Sequence, residues 1–96
     1  MQIRKDLFML EITNIRNGAV LNRHDGFETD DCLEIIVEGI ASPQSTVTVN
    51  GVAASRYDRN FSAKIRLTEK INTITATASD NFGDRSLSLT VMWDKK

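Results

Sequence analysis

Cysteine, proline, histidine, tryptophan and tyrosine each occur only once in this 96-residue chain. A lone Cys32 excludes an internal disulfide, so packing must hold the fold. Cys32 adjoins apolar residues of a strand-like run, where a free thiol behaves as a small buried hydrophobe. Its neighbours Asp30, Asp31 and Glu34 oppose the thiolate that a nucleophile requires. With His24 the only imidazole, any Ser-His-Asp or Cys-His device would rest on that one residue. An excess of one charge is missing too: 12 basic side chains face 13 acidic ones, a formal net charge of -1. Nucleic-acid binders draw much of their affinity from neutralised phosphates, so nucleic acid is not an expected partner. Long apolar runs are also lacking. In MQIRKDLFMLEI, Asp6 and Glu11 break the stretch, leaving neither a signal-type core of ~7–15 residues nor a membrane span of ~20.

What is present suits one soluble domain over residues 1–96, with 41% hydrophobic and 26% charged residues. The dominant pattern has period two, the spacing of a half-buried strand. In LEIIVE, Leu33, Ile35 and Val37 share one face, opposite Glu34, Ile36 and Glu38. TVTV runs into Asn50-Gly51, the strongest short hairpin signal, because both residues tolerate positive φ. After the polar turn YDRN, FSAKIRL sets Phe61, Ala63, Ile65 and Leu67 in phase. NTITATAS puts Ile74, Ala76 and Ala78 on one face and Thr73, Thr75 and Thr77 on the other. RSLSLTVMW places Leu87, Leu89, Val91 and Trp93 inward and Ser86, Ser88 and Thr90 outward. LFMLEITNI reads as a first strand ending at Asn17-Gly18, with AVLN a short second piece and residues 22–31 an exposed loop. Pro43 falls in the ASPQS turn, where it breaks no ladder. No helical period is sustained. The spacing of roughly 8–12 residues predicts an all-β antiparallel sandwich of about seven strands and fits a small closed barrel less well.

VTVNGVAA, DRNFSAKIRL and EKINTITATASDNFGDRS, followed by a closing strand, resemble bacterial immunoglobulin-like modules. The resemblance is greatest to the modules attached to glucodextranase and other carbohydrate-active enzymes, and covers roughly residues 33–93. Lys70 departs from the glycine usual before Asn72, and Asp84 from the asparagine common after Gly83. The resemblance implies an immunoglobulin-like sandwich without catalytic residues, metal or cofactor. Such a module is a spacer or docking surface for an adjacent domain of a bacterial glycoside hydrolase or polysaccharide deacetylase. A cell-surface or secreted location follows from it, and a cytoplasmic one if Met1 is the native start. VMWDKK, directly after a strand-like run, reads as a domain boundary, the module being excised from or N-terminal to a larger protein.

Several groups of residues suggest chemistry. Asp80, Asn81 and Asp84 concentrate oxygens, but calcium takes about six to eight of them, and Gly83 with Asp80 suits a turn between strands. Asp25, Glu28, Asp30, Asp31 and His24 share the polar loop, with no nucleophile nearby to serve as an acid/base site. Sugar rings stack on exposed aromatics. Phe61, Trp93 and Phe8 fall on inward positions, leaving Tyr57, Phe27 and Phe82 in turns or loops. The ligand-binding candidates are therefore Tyr57 and Phe82, with Arg56 and Arg59 of the basic turn for an anionic glycan or a neighbouring domain. Trp93 is the candidate interdomain contact, or else a plug for one end of the core. Asn60-Phe61-Ser62 matches the glycosylation sequon, idle in a bacterial setting. Two alternatives to the spacer remain: a carbohydrate-binding module, and an adhesion or protein-interaction module using a sheet edge or Ile36 and Ile40.

Overall fold

A computed structural model describes residues 9–81 and 83–95. Phe8 and Phe82, assigned above to the core and to a ligand, lie outside the described residues. The chain forms β1 (Leu10–Ile12), β2 (Val20–Leu21), β3 (Phe27–Glu28), β4 (Leu33–Ala41), β5 (Thr46–Val49), β6 (Val52–Ala53), β7 (Ser55–Tyr57), β8 (Asn60–Leu67), β9 (Ile71–Asp80) and β10 (Gly83–Trp93). No helix occurs among the described residues. One sheet runs β1-β4-β8-β7, with β3 also paired to β4; the other runs β2-β10-β9-β5-β6.

The period-two faces close on each other as their spacing requires. Leu33, Ile35 and Val37 of β4, Phe61, Ala63, Ile65 and Leu67 of β8, and Ile74, Ala76 and Ala78 of β9 are all buried. Together with Val47, Val49, Val91 and Trp93 they form one core between the sheets. Leu87 and Leu89 keep the inward phase of β10 but are only half-buried. The Asn50-Gly51 hairpin has the positive φ values of a type I′ turn, 50° and 81°. Pro43 sits in the β4–β5 turn, closed by Ser45 N–H donating to the Ser42 carbonyl at 3.0 Å.

Three expectations need correcting. Among the described residues ten strands stand where about seven are expected, because the chain adds two- and three-residue strands at the sheet margins. The sheets are not wholly antiparallel: β2 pairs parallel with β10, Val20 beside Met92 and Leu21 beside Trp93. The 22–31 loop contains β3, which pairs Phe27 with Glu34. Gly26 permits that approach, since a Cβ there would collide with the Glu34 carbonyl.

Asparagine side chains extend the ladders past the strand ends. Asn14 Nδ2 donates to the Ile36 carbonyl at 2.8 Å, and its Oδ1 accepts from Glu38 N–H at 2.9 Å, filling the β4 edge between β1 and β3. Asn50 does the same on β9, donating to the Thr73 carbonyl at 3.2 Å and accepting from Thr75 N–H at 2.8 Å. Asn17 accepts from Thr90 N–H on β10 at 2.7 Å. A carboxamide carries the donor and acceptor of a peptide unit, so it satisfies strand edges that would otherwise stay open.

Candidate functional site

The structure disperses most of the residues singled out in the sequence. Across the two-residue Asp58-Arg59 turn, Tyr57 pairs with Asn60 and Arg56 with Phe61. Phe61 points inward, so Arg56 must point inward and Tyr57 outward. Tyr57 is 76% exposed, beside a shallow hollow that it shares with Thr13, Glu38 and Ser62. Arg56 instead donates to the carbonyls of Ser45 (2.9 Å), Ala41 (3.2 Å), Ser42 (3.1 Å) and Asp58 (3.3 Å), and to Ser45 Oγ (3.2 Å). Its guanidinium is a strut of the β4–β5 turn, and burial pushes its pKa down. Arg59 borders a separate hollow with Ile40 and Pro43.

The acidic loop likewise divides into two turns. Asp25 Oδ2 accepts from Asn22 N–H at 2.9 Å and closes the first. Thr29 closes the second, its N–H donating to the Cys32 carbonyl at 2.8 Å and its Oγ1 accepting from the Asp31 and Cys32 N–H groups. Cys32 is half-buried in that turn, with Sγ 3.6 Å from Thr29 Oγ1, rather than buried inside a strand. Asp80 pairs with Gly83, whose φ is 136°, at the β9–β10 turn. Among the described residues no three of His, Cys, Asp and Glu come close enough to hold a metal ion. Ile36 is exposed but separated from half-buried Ile40, each bordering a different hollow; Phe27 shares that of Ile36.

A further surface lies at the C-terminal end of β10. Trp93 enters the core, 5% exposed, with Nε1 donating to Glu28 Oε1 at 3.4 Å. Lys95 Nζ stands 5.5 Å from the centre of the Trp93 ring, within cation–π range. One step back along the strand, Met92 faces out. Register sets it between Val20 of β2 and Ile71 of β9. These three apolar side chains, 56% (Val20), 37% (Met92) and 60% (Ile71) exposed, therefore stand in a row across three strands. Val20, Met92 and Trp93 line a groove of about 680 Å³ whose charged walls include Asp30, Asp31, Glu69, Lys70, Asp94 and Lys95. Backbone bonds fix its floor: Trp93 N–H donates to the Lys70 carbonyl and Asp94 N–H to the Leu21 carbonyl, both at 2.8 Å.

Sequence reasoning missed Val20, Ile71 and Met92. The signal was present in the phase already read. Thr73, Thr75 and Thr77 face out, so Ile71 does too; Ser86, Ser88 and Thr90 face out, so Met92 follows. The row offers apolar contact with a charged rim, the composition of a surface that packs against another surface.

The chain is thus an all-β protein of two packed sheets. No protein-family model and no curated protein matches it. No helix among the described residues is long and apolar enough to cross a membrane.

Proposed function

We propose that this is a non-catalytic immunoglobulin-like accessory module that packs against an adjacent domain of the protein to which it belongs. The strand orders support the immunoglobulin-like reading. Taking β1, β4, β8 and β7 as A, B, E and D, and β5, β9 and β10 as C, F and G, gives strand orders compatible with that fold, with β2, β3 and β6 as additions. Placing the partner in a bacterial carbohydrate-active enzyme rests on the motifs quoted from the sequence.

The observation that carries the docking role is the exposed row Val20–Met92–Ile71. Three large apolar residues side by side on an otherwise Thr- and Ser-rich sheet face gain free energy when covered. Burying the exposed part of each recovers about 1 kcal/mol. The test is small-angle scattering of the longer protein carrying the neighbouring domain, with and without Met92→Asp and Ile71→Asp together. The unsubstituted protein should scatter as one rigid particle and the double variant as two hinged ones. The isolated chain should stay folded and lose about 1–2 kcal/mol, since the two carboxylates face each other across β9 and β10. A hinged unsubstituted protein would sink the proposal.

A further inference from the structure

Among the described residues, the outer edge of β10 is covered over only part of its length. Gly18 N–H donates to the Thr90 carbonyl at 2.6 Å, Asn17 Oδ1 accepts from Thr90 N–H at 2.7 Å, and Met92 N–H donates to the Ala19 carbonyl at 2.9 Å. Thr90 and Met92 thus direct their backbone groups away from β9. By the alternation of an antiparallel ladder, so do Ser88, Ser86 and Asp84. No described strand lies beyond that stretch, which runs for roughly 17 Å. The outer strands of the opposite margin are much shorter, β6 with two residues and β7 with three.

An open edge of this length is a template for a second chain. Its inward face carries half-buried Leu87 and Leu89, which a second strand would cover. Arg85 belongs to the same face, cross-strand from buried Ala78, and is exposed. A two-fold antiparallel pairing centred on Ser86 would set Arg85 against the second copy's Leu87. Shifting the centre to Leu87 sets Arg85 against Leu89, and shifting it to Arg85 brings two guanidiniums face to face. Each arrangement either desolvates the cation against an apolar partner or opposes like charges.

We propose that Arg85 keeps the open β10 edge from pairing with the same edge of a second copy. It is an inward-pointing charge that leaves the edge available without letting two copies dimerise through it. Sedimentation of the unsubstituted chain, Arg85→Val, Arg85→Lys and the double variant Arg85→Val/Ser86→Pro tests this, with circular dichroism confirming that each is folded. The unsubstituted chain and Arg85→Lys should remain monomers. Arg85→Val should dimerise with affinity raised at least about tenfold, equivalent to ~1.4 kcal/mol. Adding Ser86→Pro, which removes a ladder N–H from the open edge, should return it to monomer. The proposal is overturned by a folded Arg85→Val that stays monomeric, by a dimer that survives Ser86→Pro, or by an unsubstituted or Arg85→Lys chain that already dimerises.

Discussion

Phe61→Ala lowers the unfolding free energy by about 3–5 kcal/mol, a large share of the ~5–15 kcal/mol typical of a domain. Phe61 is 2% exposed and sits cross-strand from Gly39, so its ring covers a stretch of β4 that has no side chain. The fit is close. A Cβ placed on Gly39 would come within 2.5 Å of Phe61 Cζ and 2.7 Å of Cε2, and would collide with the Glu11 carbonyl of β1. An aromatic ring laid over a strand glycine restores the packing that the glycine forgoes. Removing the ring opens a void against the bare backbone of Gly39. Urea denaturation of Phe61→Ala measures the loss, and a change below about 1 kcal/mol would contradict this packing.

Arg56→Met destabilises the chain by about 2–4 kcal/mol, combining lost charge-assisted hydrogen bonds with carbonyls left unpaired. Ala41, Ser42 and Ser45 are buried, so water cannot readily replace the guanidinium at their oxygens. Arg56→Lys should recover less than half of the loss. One ammonium cannot reach acceptors on both sides of the turn as the planar fork does. Thermal unfolding of the three proteins reads the difference. Full rescue by lysine would show that the charge matters and the fork does not.

These two residues mark the limit of what the sequence disclosed. Phe61 was legible because it repeats at period two with Ala63, Ile65 and Leu67, and such a face must be covered. Asn50-Gly51 was legible because positive φ restricts residue choice. The bonds of Arg56 to the β4–β5 turn were not legible, because charge is ordinarily solvated. A two-residue turn between Tyr57 and Asn60 nevertheless forces Arg56 into the phase of Phe61. Asn17-Gly18 marked a strand end, but the edge bonds of Asn14 and Asn17 carried no local signal, since their partners on β4 and β10 are distant in sequence. β3 was hidden for the same reason, its pairing depending on the close approach that Gly26 allows. Trp93 is buried in the core, and its neighbour Met92 is exposed.

The claim that the working surface lies at Val20, Met92 and Ile71 can be tested by amide hydrogen exchange. The measurement compares the chain alone with the chain joined to the adjacent domain proposed for it. Exchange should slow at Val20–Leu21, at residues 69–71 and at residues 92–95, while Ser55–Asn60 around Tyr57 stays unchanged. Slowing confined to Ser55–Asn60, or no difference anywhere, would contradict the account.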